Sequence, residues 1–127
     1  GPMRIFIADD DLSVRSALCC LIDQQPGQRV VGEAPCWHET LRLLRACRAD
    51  VLLLDWELPS FVAQDLARLP RTRIGVIVLS SYPEAREPAL AAGADAFVCK
   101  SDAPELLLKA IRAATAGRHK RQPAATG

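Results

Sequence analysis

The chain has 127 residues, of which 50% are hydrophobic and 24% are charged, and its formal net charge is +1. This length and composition fit a single globular domain that buries its own core. A charge so near zero excludes bulk electrostatic attraction to nucleic acid or to an acidic membrane, and no apolar stretch approaches the roughly 20 residues of a membrane span. The five cysteines, odd in number and without CxxC spacing, indicate reduced thiols and a cytoplasmic location.

Hydrophobic runs alternate with segments of helical periodicity along the chain. The runs predict strands at residues 4–8, 29–34, 51–54, 74–79 and 94–99. Helices are predicted at about 12–25, 37–48, 62–69 and 83–92, with a last helix from residue 104. The run 51–54 contains no polar residue, which is typical of a parallel strand covered on both faces.

This alternation predicts an α/β fold with right-handed crossovers. We expect a flavodoxin-like, doubly wound parallel sheet of five strands in the order 2-1-3-4-5, with five helices. Residues 1–2 are expected to be a remnant of tag cleavage. Residues 3–116 would form the domain, and the polar, basic stretch 117–127 would be a linker or tail.

The apolar stripes predict which side of each helix is buried. They comprise Val14, Leu18, Leu21 and Ile22 in the first helix, Trp37, Leu41 and Leu44 in the second, and Leu106, Leu107, Ala110, Ile111 and Ala114 in the last.

Two helix starts carry their own signals. Pro88 lies inside the fourth helix, where proline costs about 3 kcal/mol or more, so this helix is predicted to begin near Glu87 or to kink there. In the last helix, Asp102 and Glu105 form a pair that resembles a capping box, with Pro104 in the first turn.

Four strands end on charged or reactive side chains. Asp9 and Asp10 follow the first strand and Asp55 follows the third, while Ser80 and Lys100 follow the fourth and fifth. Open α/β sheets bind their ligands at this edge. Three carboxylates beside one ammonium group favour a hard divalent cation such as Mg²⁺. Asp55 is then predicted to attack a phosphoryl group whose oxygens contact Lys100 and the Ser80 hydroxyl.

These residues belong to a pattern shared with a known family. Its markers are Asp9-Asp10 followed by Arg15, the segment Asp55-Trp56-Glu57-Leu58-Pro59, Ser80, Gly93-Ala94-Asp95, and Phe97 with Lys100. Over about residues 4–116 the chain resembles the receiver domain of bacterial two-component response regulators. The junction at residues 100–102 and the ending at 116–118 resemble its NarL/LuxR-type members.

The resemblance implies a function for this edge of the sheet. A sensor histidine kinase would phosphorylate Asp55, with Mg²⁺ held by Asp9, Asp10, Asp55 and the backbone carbonyl of Glu57. The chain would accept a phosphoryl group and would not be an enzyme, although it could catalyse its own phosphorylation and dephosphorylation.

The resemblance also implies a switch. Ser80 would move toward the phosphoryl group and Phe97 would rotate inward, which remodels the face formed by the fourth helix, the fifth strand and the fifth helix. That face would serve homodimerisation or a helix-turn-helix output domain absent from this chain. Through that domain alone the protein would bind DNA and regulate transcription, and no membrane partner is expected.

Three alternatives remain open at this point. Loop 59–63 lacks both glycines of the family pattern, so it must avoid positive φ or bear strain, and a degenerate or stand-alone receiver could act through partners without phosphorylation. Phe61 and Val62 of this loop either pack on the sheet or meet a partner. A flavin-binding protein is disfavoured by the aspartates at 9–11, and an Asp-nucleophile phosphatase by Glu57, which stands where such enzymes carry a second aspartate.

Overall fold

Five parallel strands form one sheet in the order β2-β1-β3-β4-β5 in our computed structural model, which describes residues 1–69 and 74–121, with the backbone alone for 115–121. The strands are β1 Met3–Ala8, β2 Gln28–Ala34, β3 Val51–Asp55, β4 Gly75–Ser80 and β5 Ala96–Cys99. The predicted fold class and strand order are confirmed.

Helical segments follow every strand, as predicted. The α-helices are α1 Leu12–Asp23, α2 Trp37–Cys47, α3 Arg86–Ala91 and α4 Pro104–Arg121. The segment after β3 is a 3-10 helix, Ala63–Arg68, and a 3-10 turn, Pro83–Ala85, precedes α3. Along the described part of the chain, no helix has the length and hydrophobicity needed to cross a membrane.

Alternate side chains of the strands enter two separate cores, because successive residues of a strand point to opposite faces. On one side, which we call the aromatic face, the sheet packs against α2, the 3-10 helix and α3; its core includes Phe6, Trp37, Leu52, Leu54, Leu66, Val76, Val78, Ala89 and Phe97. On the other side, the open face, it packs against α1 and α4; its core includes Ile5, Ile7, Ile22, Val51, Leu53, Ile77, Val98, Leu107 and Ile111.

Helix α1 is less buried than its apolar stripe predicts. Ile22 alone among its residues is fully buried, whereas Val14, Leu18 and Leu21 stay partly exposed. Leu18 and Leu21 line a groove of about 290 Å³ between α1 and α4, together with Leu107. The open face is therefore incompletely covered along this groove.

Helices α2 and α4 bury most of their predicted stripes, including Trp37, Leu44 and Ile111, and each differs from the prediction at one position. In α2, Thr40 is buried and donates from its hydroxyl to the Cys36 carbonyl at 2.8 Å, while Leu41 is 45% exposed. In α4, Leu108 is buried and Leu106 is 48% exposed. Both buried stripes keep helical spacing, and the neighbouring elements decide which of two adjacent positions is covered.

The prediction of a late helix start at the fourth segment is confirmed. The 3-10 turn occupies the first residues, and α3 begins at Arg86, next to the predicted Glu87. Pro88 is therefore the third residue of α3, within the first turn, where backbone N–H groups have no partner inside the helix. The proline sets the start of α3 without breaking it.

The start of α4 only partly matches its prediction. The helix begins at Pro104, so Ala103 is the cap position and the predicted capping box from Asp102 is wrong by one residue. The Asp102 carboxylate instead accepts a hydrogen bond from the Cys99 amide at 2.9 Å. At its other end α4 continues through Gly117 to Arg121, past the predicted start of the linker; residues 122–127 of that predicted tail lie outside the described residues.

Candidate functional site

The carboxyl ends of β1, β3 and β5 bring three carboxylates and one ammonium group together. Asp9, Asp10 and Asp55 each offer an oxygen atom within 4.8 Å of the others. The Lys100 Nζ atom lies 2.8 Å from Asp9 Oδ2 and 3.4 Å from Asp55 Oδ1. This is the convergence that the strand order predicts.

Main-chain hydrogen bonds between neighbouring strands hold these ends in place. The Trp56 amide donates to the Leu79 carbonyl at 2.8 Å, and the Lys100 amide donates to the Ser80 carbonyl at 2.8 Å. The ladder thus continues to the residues that carry the site, so the positions of Lys100 and Asp55 follow from the sheet register.

The loop between β1 and α1 divides its three aspartates between two tasks. Asp11 caps α1, accepting from the Ser13 amide at 2.9 Å and from the Ser13 hydroxyl at 2.6 Å. These bonds lower the pKa of Asp11. Asp9 is buried and Asp10 is exposed. Because Asp11 supplies the cap, helix capping does not account for Asp9 and Asp10.

Arg15 holds this acidic loop from α1. Its Nη1 atom donates to the Asp9 carbonyl at 2.7 Å, and its Nε atom pairs with Glu33 of β2 at 3.1 Å. In the sequence, Arg15 is recognisable only as a marker of the family pattern. Its spacing from Asp9, about a turn and a half of helix, is the signal that could have placed it against the loop.

The charges at this edge interact strongly because Asp55 is buried. Asp55 is 2% exposed, and burial raises its pKa to about 6 against the opposing hydrogen bond from the Glu57 amide, with the Asp9 charge raising it further and Lys100 lowering it. Burial acts to lower the pKa of Lys100, but the hydrogen bond and charge of Asp9 and the charge of Asp55 outweigh it, and the pKa is raised. At this edge the ammonium group of Lys100 thus lies beside three carboxylates.

The donor set fits a hard cation. Carboxylate oxygens are the ligands that Mg²⁺ and Ca²⁺ prefer, and the acidic excess at this site would be compensated by a divalent charge. The Asp55 Oδ1 atom accepts a hydrogen bond from the Glu57 amide at 3.0 Å. The carbonyl of Glu57, predicted from the resemblance as a further ligand, stays a prediction.

Ser80 ends β4 as predicted, but its hydroxyl is engaged away from Asp55. It is fully buried and donates to the Glu57 carboxylate, with Oγ 2.9 Å from Oε2 and 3.0 Å from Oε1. The same oxygen accepts from the Tyr82 amide at 3.0 Å. The family resemblance implies a role for the Glu57 backbone alone, and the contact between its side chain and Ser80 is visible only in the structure.

The loop that leaves Asp55 is packed on the aromatic face by Phe61. The ring of Phe61 stands edge-on to Trp37 and to Trp56, with centroid distances of 5.0 and 5.7 Å. Ser60 adopts a positive φ of 68°, so the loop bears the strain that the missing glycine would have avoided. Phe61 therefore packs within the domain, and Val62 beside it is 57% exposed.

Phe97, the remaining predicted switch residue, lies on β5 beside Val78 of β4. Its ring is 8% exposed and belongs to the core of the aromatic face. This packing accounts for an aromatic residue at the position, and its rotation on signalling stays a prediction.

Comparisons with known proteins agree on one family. The family model of the response regulator receiver domain matches residues 5–112. The chain is 37% identical over 114 residues to the uncharacterized transcriptional regulatory protein YhcZ of Bacillus subtilis (strain 168), covering 84% of this chain and 52% of that protein. It is 34% identical over 121 residues to the nitrate/nitrite response regulator protein NarL of Escherichia coli (strain K12), covering 91% and 56%.

Solved structures give the same result. A LuxR-family two-component response regulator from Aurantimonas sp. SI85-9A1 has a TM-score of 0.82 at 30% identity, covering 93% of this chain and 88% of that one. The RcsB response regulator of Salmonella typhimurium has a TM-score of 0.81 at 26% identity, covering 91% and 61%. The chain spans about half the length of the curated relatives it matches.

Proposed function

The chain belongs to the response regulator receiver domain family, among its LuxR/NarL-type members, and on that premise we propose that Asp55 accepts a phosphoryl group from a sensor histidine kinase. The observation that carries this proposal is the grouping of Asp55, Lys100, Asp9 and Asp10 at one sheet edge. Each of these residues has a separate task in phosphoryl transfer.

The proposed step is an in-line displacement at phosphorus. A carboxylate oxygen of Asp55 attacks the phosphorus atom of a phosphohistidine, so an O–P bond forms and the P–N bond breaks. The electron pair of the P–N bond goes to the kinase imidazole, which takes a proton from solvent. The product is an acyl phosphate on Asp55, whose added negative charge Lys100 partly neutralises from its position beside the carboxylate.

Magnesium is part of the proposal because the carboxylates fit it. Asp9, Asp10 and Asp55 would hold the ion together with the Glu57 carbonyl. When bound, Mg²⁺ supplies the positive charge that lets an anionic donor approach a group of carboxylates. Arg15 keeps the Asp9 main chain in place at 2.7 Å, which preorganises the acidic loop for that ion.

The proposed output is regulation of transcription through a helix-turn-helix domain. Its support is the similarity to NarL, named a response regulator, and to YhcZ, named a transcriptional regulatory protein. Both relatives are about twice as long as the part that this chain matches. The face formed by α3, β5 and α4 would contact that domain or a second copy of the chain. A kinase donor and a DNA target would both place the protein in the cytoplasm.

Labelling with acetyl phosphate tests the proposal. With Mg²⁺ present, the wild-type chain is expected to gain one phosphoryl group by intact-mass spectrometry, and Asp55→Asn none. Asp102→Asn, whose carboxylate bonds the Cys99 amide away from the cluster, serves as the matched acidic control and should be labelled like wild type. An unlabelled wild-type chain would contradict the proposal and favour a receiver that acts without phosphorylation.

Fluorescence gives a second readout, because Trp56 adjoins Asp55. Fluoroberyllate with Mg²⁺ should change the emission of the wild-type chain. The change should be lost in Trp56→Phe, which leaves Trp37 as the emitter, and in Asp55→Asn.

A further inference from the structure

We propose that Glu57 is a positioning residue that restrains Ser80 in the resting state and releases it when Asp55 is phosphorylated. This inference rests on the proposed function, since release has a purpose only if Ser80 contacts the phosphoryl group. It concerns the side chain of Glu57, whose backbone alone entered the predicted metal site.

The resting hydrogen bonds use the one proton that the Ser80 hydroxyl can donate. The Ser80 hydroxyl donates to the Glu57 carboxylate, whose Oε2 and Oε1 atoms lie 2.9 and 3.0 Å from Oγ. The oxygen also accepts from the Tyr82 amide at 3.0 Å. A hydroxyl has one proton to donate, so Ser80 cannot bond a phosphoryl oxygen and Glu57 at once.

Glu57 forms hydrogen bonds with both Asp55 and Ser80. Its amide donates to Asp55 Oδ1 at 3.0 Å, while its carboxylate accepts from Ser80. Glu57 is exposed and Ser80 is fully buried. The carboxylate can therefore move into water when the bond breaks, whereas the Ser80 hydroxyl needs another partner inside the protein.

Phosphorylation supplies both the competing partner and the force for release. A phosphoryl group on Asp55 brings new negative charge close to the Glu57 carboxylate, and the repulsion between these like charges, screened in part by the water around exposed Glu57, weakens its bond to Ser80. The oxygens of the phosphoryl group also accept a hydrogen bond from the Ser80 hydroxyl. The bond between Glu57 and Ser80 thus opposes phosphorylation in the resting chain and is broken by it, which makes the pair a two-state element.

The resting bond is tested first without any phosphoryl donor. A double-mutant cycle of Glu57→Ala and Ser80→Ala, measured by urea unfolding in metal-free buffer, isolates the pair. We expect the unfolding equilibrium constants to be coupled by about fivefold to tenfold, as for a side-chain hydrogen bond whose charged partner is exposed to water. Additive effects would overturn the proposal, whatever the chain does with phosphate.

Release is tested by titrating Mg²⁺-fluoroberyllate against Trp56 fluorescence. Glu57→Ala is expected to tighten binding about tenfold when Ser80 is present and to have no effect in the Ser80→Ala background. Glu57→Gln, which keeps the acceptor oxygen and removes the charge, should lie between wild type and Glu57→Ala. Glu84→Ala, an exposed acid in the 3-10 turn before α3, is the charge control and should bind like wild type.

The outcomes separate this proposal from the proposed function. Equal tightening with and without Ser80 would show that Glu57 acts by charge alone and would overturn the restraint, with phosphorylation unaffected. A wild-type chain that shows the coupling but does not respond to fluoroberyllate would overturn the proposed function and the release step together.

Discussion

The aromatic face and the open face belong to the same five-stranded sheet, but different kinds of side chain pack against them. On the aromatic face, Trp37, Phe61 and Trp56 form a continuous set of edge-on rings that reaches the loop after β3. On the open face the contacts are aliphatic, and α1 buries only Ile22 completely. The groove between α1 and α4 remains, with Lys100 at its rim.

This difference shows how the site is both fixed and accessible. Asp55 is held from the aromatic side by the loop that Phe61 anchors, and its side chain is buried. The Lys100 side chain, on the groove side, keeps 22% of its surface exposed. Asp55 is therefore covered on one side, while solvent reaches Lys100 on the other.

The largest expected contrast comes from removing one leucine on each face. Leu52→Ala on the aromatic face deletes a fully buried side chain and is expected to lower the free energy of unfolding by about 2–5 kcal/mol. Leu18→Ala in the groove removes a partly exposed side chain and should cost less than about 1.5 kcal/mol. Urea unfolding measures both, and equal losses would refute the contrast.

A smaller effect on stability is expected from replacing the buried carboxylate of Asp55. Burial raises the pKa of the Asp55 carboxylate to about 6, so its ionised form destabilises the folded chain at pH 7. Asp55→Asn removes this charge and should raise the free energy of unfolding at pH 7 by about 1–2 kcal/mol in metal-free buffer. The folded chain binds more protons than the unfolded chain between pH 3.8 and about 6. Wild-type stability therefore falls as pH rises through this window, and the advantage of Asp55→Asn should vanish below it.

Thermal or urea unfolding across pH 3.5–7.5 checks this window. Added Mg²⁺ is the control, because an ion bound by the wild-type carboxylates offsets the penalty and should narrow the difference between the two proteins. If Asp55→Asn is instead less stable than wild type at pH 7 without metal, the attraction between Asp55 and Lys100 stabilises the fold by more than the burial of the Asp55 charge costs.

The smallest change in stability is expected in the loop after β3, which packs on the aromatic face through Phe61. Ser60→Gly relieves the positive φ of 68° and is expected to stabilise the chain by roughly 0.5–1 kcal/mol. Arg48→Gly, at a φ of 51° after α2, is the matched control and should gain a similar amount. If Ser60→Gly destabilises the chain while Arg48→Gly does not, the Ser60 side chain makes a contact that offsets the strain.

Much of the fold could be predicted because its signals are local. The apolar run of β3 needs cover on both faces wherever it lies, and Pro88 can occupy only the first turn of a helix. The choice between Thr40 and Leu41 as the buried position could not be predicted, because both lie near one side of α2 and the decision comes from packing on the sheet. The 3-10 form of Ala63–Arg68 is equally a result of its surroundings.

By itself the sequence determined the α/β class, the strand order and the meeting of Asp9, Asp55 and Lys100 at one edge, since right-handed helical crossovers place the carboxyl ends of parallel strands at the same edge of a sheet. Tertiary structure alone decided the pairing of Ser80 with Glu57. Residues 57 and 80 are brought together by the neighbouring strands β3 and β4, and their side-chain contact depends on rotamers and on what surrounds them. Such contacts over a few ångströms are set by packing, which no periodicity in the chain records.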